Sequence, residues 1–227
     1  MKKATVKQAF LSTIPVMAGY LVLGIGFGVL LKTAGYGIWW AFAMSAFIYA
    51  GSMQYVLISL LTSGASLLTV ALTTLMVNAR HLFYGISMIE PYRKIGPEKP
   101  YLIFALTDET YSLVCSAAGK SRGYYLLVSL FDQIYWVTGS IVGSLLGAVI
   151  PFNTEGIDFA LTALFLTIFT EQWLSSRNHL PALIGLIASA LCVVIFGADG
   201  FLIPAMLVIT ALLLASKSRL QEDSKND

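Results

Sequence analysis

Charge is what this sequence has least of. Only 11% of its 227 residues are Asp, Glu, Lys or Arg, against about 25% in an ordinary soluble domain. Because 57% are hydrophobic, a water-soluble fold is excluded. The net charge of +2 is too small and too dispersed for nucleic-acid binding, and no basic stripe alternates with aromatics. Cysteine is scarcer still. Cys115 and Cys192 lie in apolar runs without CxxC or His spacing, so they read as small core residues rather than metal ligands. HExxH, GxSxG, a Walker loop and GxGxxG are all missing, so no enzymatic activity and no cofactor or metal is expected.

Long apolar stretches are present in abundance. A hydrocarbon core of ~30 Å needs about 20 helical residues per crossing, and segments at 8–31, 38–62, 66–89, 101–118, 124–150, 158–176, 180–197 and 199–216 qualify or come close. The sequence therefore predicts an all-α polytopic membrane protein of about seven or eight transmembrane helices, with one single permease domain over 1–216 and a polar tail over 217–227. MKKATVKQ resembles the start of a signal peptide, but no small-x-small cleavage site precedes polar sequence, so it reads as leading into a retained first span. With the N-terminus inside and all eight segments crossing, Lys2, Lys3, Lys7, Lys120, Arg122, Arg177, Lys217, Arg219 and Lys225 gather on the inner side, as the positive-inside rule asks. The polar loop 90–100, with Arg93, Lys94 and Lys99, falls outside and breaks the rule. One of the first three segments is therefore expected to be broken or re-entrant, and Pro15, Gly19, Gly24, Gly26 and Gly28 point to the first. Asn78-Ala79-Arg80-His81 and Arg177-Asn178-His179 also echo each other, as an inverted repeat or chance similarity would.

The few polar groups inside apolar runs are the candidate site, because a charge at the bilayer centre costs ~2.5–3.5 kcal/mol and usually faces a partner, cavity or substrate. Asp132 shares a helical face with Trp136, Gly139, Gly143 and Gly147, which suits either a close helix contact or an acid aimed at a substrate ammonium. Asp108 and Glu109 are adjacent carboxyls, fitted to carrying a proton or to pairing with Arg80. Arg80 can clamp a carboxylate and His81 can titrate near neutral pH, although both stand close enough to a helix end to snorkel. Asn78 shares the His81 face. Gln54 follows Gly51-Ser52, a pair that permits local unwinding, and offers both a donor and an acceptor. Glu171, Arg177 and Asp199 read as interfacial or turn residues.

Five ordered strings carry a resemblance: Ser45 with Ala50-Gly51-Ser52-Met53-Gln54; Asn78-Ala79-Arg80-His81-Leu82-Phe83-Tyr84-Gly85; Leu106-Thr107-Asp108-Glu109; Asp132 with Trp136 and Gly139; and Asp158-Phe159-Ala160-Leu161. Together they resemble the AzlC family, the large subunit of bacterial branched-chain amino-acid exporters, over about residues 1–170. The resemblance implies a multi-pass permease of the bacterial cytoplasmic (inner) membrane. It also implies a small AzlD-type membrane subunit as partner and export of leucine, isoleucine, valine and, in some members, methionine. Coupled to protons, such an exporter would use Arg80 or an unwound first segment for the substrate carboxylate. Asp132 or Asp108 would take the ammonium, and His81 or Glu109 the proton; Gln54, Asn78 and Trp136 are further candidates for the substrate path. The same sequence also fits a non-transporting scaffold or assembly subunit, or an exporter of another small solute.

Overall fold

A computed structural model describes residues 3–93, 95–115, 117, 120–149, 166, 169, 170, 173, 174, 178–197 and 201–216. All regular structure among them is helical. The chain is described as two units, 1–161 and 162–227.

In the first unit two long helices form the axis. α1 (Lys3–Thr33) and α8 (Arg122–Val149) extend about 46 and 42 Å at 1.5 Å per residue, and among the described residues they are the two helices long and apolar enough to cross a membrane. They run side by side and parallel. Ser12 meets Tyr124, Thr13 meets Tyr135 and Tyr20 meets Trp136, after which Gly24, Gly28 and Lys32 lie against Gly139, Gly143 and Gly147 in turn. A Cβ on Gly24 would stand 3.0 Å from the Trp136 carbonyl, and one on Gly139 would stand 2.9 Å from the Leu21 carbonyl. Small residues at this spacing let two backbones touch. The first segment, expected to be broken or re-entrant, is thus one continuous helix that holds Pro15. Its Gly24 and Gly28 serve packing rather than unwinding.

The interruptions fall elsewhere. α2 (Ile38–Ala43) passes through a π turn (Met44–Ile48) and stops at Tyr49, whose φ of 46° is left-handed. α3 (Gly51–Thr62) then starts afresh. Ser45 hydrogen-bonds Ser140, Gly51 faces the Trp136 indole, and Tyr55 reaches the Leu23 carbonyl and the Phe27 ring. The chain therefore descends from the C-terminal end of α1 to Tyr49 and then turns back along α1. Residues 38–62 form a re-entrant hairpin rather than a crossing.

A second hairpin enters from the opposite end. Glu98 pairs with Arg122 at the start of α8, and that guanidinium holds the Glu98 carboxyl below the usual carboxylate range. α6 (Lys99–Phe104) runs inward until the Phe104 ring meets Tyr49. Ala105, Leu106 and Thr107 break the helix. α7 (Asp108–Cys115) returns, and Tyr125 donates to the Ala117 carbonyl. α6 and α7 leave from and return towards the same end of α8, where Ala9, Met88, Tyr92, Leu102 and Tyr124 form a buried cluster.

Between the hairpins lie α4 (Leu67–Asn78) and α5 (Arg80–Ser87), joined at Ala79. A Schellman turn ends α3, with Gly64 at φ 64° and Ala65 donating to the Leu60 carbonyl, and the Ser66 side chain caps α4. Arg80 lies at the hairpin tips and Met88 in the cluster around Ala9, so this pair runs antiparallel to α1.

The expectation of seven or eight crossings is therefore corrected, because two of the eight apolar segments double back. In the second unit, α9 (Leu180–Phe196) and α10 (Leu202–Ala215) pack on each other, and Trp173 stacks on His179 at 4.1 Å. Outward faces are rich in Leu, Ile, Val and Phe, including Val22, Leu67, Val149 and Val194, which suits a lipid environment rather than water.

Candidate functional site

The two hairpin tips meet beside α1 and α8, and the sequence-predicted residues separate there into three groups.

Arg80 and Asp108 form the first. Their Nη1 and Oδ2 atoms are 2.7 Å apart, and Arg80 Nη2 donates to Ser52 at 2.7 Å. One guanidinium thus ties the tip of the first hairpin to the tip of the second. Asp108 and Glu109 occupy the first turn of α7, where the helix dipole favours negative charge.

Glu109 and Asp132 form the second group. Asp132 is wholly buried, accepts from Thr110 at 2.8 Å on Oδ2 and keeps Oδ1 without a hydrogen-bond partner. Glu109 accepts from Tyr20 at 2.7 Å. Three hydroxyls that sequence reasoning missed, on Tyr20, Thr107 and Thr110, lie between the two carboxyls. Thr107 stood inside the Leu106-Thr107-Asp108-Glu109 string, and its side chain caps α7 by accepting from the Thr110 amide. Tyr20 is one aromatic in an apolar run, and no spacing marked it.

The third group holds the site in shape. Gln54 Nε2 donates to Ser45, Trp136 Nε1 donates to Gln54 Oε1, and Ser45 donates to Ser140. Gln54 is fully buried with both ends of its amide engaged, so it acts as an interhelical brace. Gln54→Leu leaves the indole N–H and the Ser45 hydroxyl short of partners, at a cost of about 2–4 kcal/mol. The expected result is a markedly lower midpoint of thermal unfolding in detergent, read by Trp fluorescence.

Beside these groups lies a cavity of about 550 Å³ walled mainly by Leu75, Leu82, Met88, Ile89, Ile103 and Leu106. Thr74, Asn78, His81, Tyr92 and Lys99 are its polar lining. Asn78 Oδ1 is buried without a partner, and His81 Nδ1 bonds the Asn78 carbonyl at 3.1 Å. Leu75, Leu82, Ile89 and Ile103 are each more than half exposed, so the cavity is a largely apolar groove open on one side. Among the described residues no group of three or more His, Cys, Asp or Glu could hold a metal ion. Asp158, Glu171, Arg177, Asp199 and the 217–227 tail lie outside the described residues.

The family model of the AzlC protein matches residues 15–150. The chain belongs to the AzlC family. That region takes in both hairpins, the α1–α8 axis and all eight singled-out candidates. The branched-chain amino acid transport protein AzlC of Bacillus subtilis is 42% identical over 96% of this chain and 88% of its own length. An uncharacterized membrane protein of Helicobacter pylori is 39% identical over 95% and 96%, and the inner membrane protein YgaZ of Escherichia coli is 25% identical over 93% and 91%. No solved structure matches. Likeness of this AzlC-family chain to membrane proteins along nearly its whole length agrees with its apolar exterior, and it is a membrane protein.

Proposed function

We propose that the chain is the transporting subunit of a bacterial inner-membrane exporter of branched-chain amino acids, coupled to protons and working with a small AzlD-type membrane subunit. One observation carries the reading: a wholly buried carboxyl on α8, Asp132, keeps an unpartnered oxygen and is bonded to Thr110 where the second hairpin turns back. Opposed broken helices that meet at mid-membrane are how transporters bring backbone and side-chain polar groups to a substrate. Asp132 Oδ1 is the acceptor for the substrate ammonium. Arg80, between the lining residues Ala79 and His81, takes the carboxylate by exchange with Asp108. The aliphatic side chain occupies the cavity past Leu75, Leu82 and Ile89.

The same geometry supports three crossings in the first unit: α1, the α4–α5 pair and α8. The end of the first unit that holds the start of α1 also gathers Lys3, Lys7, Arg93, Lys99, Lys120 and Arg122, whereas Lys32 stands at the other. Placing that end in the cytoplasm removes the conflict over loop 90–100.

Efflux of labelled leucine from preloaded bacterial cells tests the function. Cells carrying this chain with its small partner are expected to lose leucine faster than cells carrying either alone. Equal rates in all three, with the chain inserted and abundant, would overturn the proposal.

A further inference from the structure

Five side-chain oxygens run in file across the site. Glu109 Oε2, Tyr20 Oη, Thr107 Oγ1, Thr110 Oγ1 and Asp132 Oδ2 are separated by 2.7, 2.6, 3.0 and 2.8 Å. Tyr20, Thr107, Thr110 and Asp132 are buried, at 4, 8, 0 and 0% exposure, so three of the links are made inside the protein and the fourth, to Glu109, is partly buried. The file joins three elements, α1, α7 and α8, and ends on a carboxyl at each side.

Counting hydrogens decides its state. Four links need four bridging hydrogens, and the three hydroxyls supply three. With both carboxyls ionised, Tyr20 donates to Glu109, and Thr107 donates through Thr110 to Asp132. The 2.6 Å contact between Tyr20 and Thr107 then holds no hydrogen, and two buried oxygens face each other lone pair to lone pair, an arrangement that costs free energy. A fourth hydrogen on either carboxyl repairs it.

We propose that Glu109 and Asp132 share one proton through this file, which acts as a proton wire. With the proton on Glu109, its O–H donates to Tyr20, Tyr20 to Thr107, Thr107 to Thr110 and Thr110 to Asp132. Transfer reverses every link. Glu109 gives its proton to Tyr20, each hydroxyl passes on its own hydrogen, and Thr110 delivers one to Asp132 Oδ2. Glu109 ends ionised, Asp132 ends protonated and each hydroxyl again holds one hydrogen. The charged and titratable groups nearby are Asp108 and Arg80 beside Glu109, and Tyr49, Tyr101 and Tyr20 around Asp132. Arg80 and Asp108 offset each other, so with one proton in the file the cluster keeps a single negative charge. A substrate ammonium at Asp132 Oδ1 needs that charge on Asp132, which sends the proton to Glu109. This coupling step rests on the exporter reading, whereas the shared proton rests on geometry alone.

Infrared spectroscopy of the purified full chain in an ester-free detergent tests it, as a difference between neutral and alkaline pH. The expected result is a carbonyl stretch of a protonated carboxyl at neutral pH that both Glu109→Gln and Asp132→Asn remove singly, because either amide supplies the fourth hydrogen itself. Absence of the band, or its survival in either variant, would overturn the shared proton. For coupling, proton flux driven by leucine in vesicles bearing the chain and its small partner is expected to fall about a hundredfold in Tyr20→Phe and Thr110→Val, the loss of a proton-transfer path. Thr110→Ser retains it. Flux at the wild-type level in Thr110→Val would sink the wire. Wild-type vesicles that move no leucine would refute the exporter reading and leave the infrared result to decide the shared proton.

Discussion

Gly143→Leu is expected to abolish the folded protein. A Cβ at Gly143 would lie 2.7 Å from the Ile25 Cα and closer still to the Ile25 carbonyl. Both are backbone atoms of a long helix and cannot swing aside as a side-chain tip can. α1 would have to move off α8 along its length, parting the Thr13–Tyr135 and Tyr20–Trp136 contacts that lie along the same face. Overpacking of this kind costs about 3 kcal/mol or more, a large share of a typical net stability of 5–15 kcal/mol. Gly19→Ala on α1 is the control, since nothing lies within 4 Å of its Cβ position. Amounts in the membrane fraction and the unfolding midpoint in detergent check the pair: Gly143→Leu is expected to leave little intact protein, and Gly19→Ala is expected to match the wild type. An abundant Gly143→Leu protein with a normal midpoint would mean that α1 and α8 do not touch through their glycines.

The glycine stripe was legible because Gly139, Gly143 and Gly147 recur at helical spacing, and spacing is what sets a helix face. The hairpins were not. An apolar segment that enters a membrane and turns back has the same composition as one that crosses, so 38–62 and 101–118 read as spans. Only long-range contacts such as Ser45 with Ser140 and Glu98 with Arg122 reveal their direction. Pro15 and the glycines of α1 misled for a related reason: glycine permits both unwinding and close packing, and the partner helix decides between them. The misplaced loop 90–100 was a sound signal of re-entrance, attached to the wrong segment. At the site, charged residues stood out against the apolar background, whereas Tyr20, Thr107 and Thr110 did not. A hydroxyl in a helix is common, and its function here comes from who stands beside it.

Arg80 and Asp108 separate a structural tie from a transport role. Their side chains are 29% and 18% exposed and 2.7 Å apart, so removing one partner takes the opposing charge away from a partly buried group. With some relief from solvent, Arg80→Gln or Asp108→Asn alone is expected to cost about 2–4 kcal/mol and to lower the amount of inserted protein. The double variant Arg80→Gln/Asp108→Asn holds two neutral amides that can bond each other, and its abundance is expected to return close to wild type. Leucine efflux is expected to stay at background in Arg80→Gln and in the double variant, because no guanidinium is left there to receive the substrate carboxylate. Efflux per inserted molecule that recovers in the double variant would reduce the pair to a lock between two hairpin tips, and the carboxylate site would have to be sought among Asn78, His81 and Lys99 around the cavity. Abundance that fails to recover would instead show that Ser52 and the hairpin tips need the charge itself, since Arg80 touches both tips through hydrogen bonds to Ser52 and Asp108.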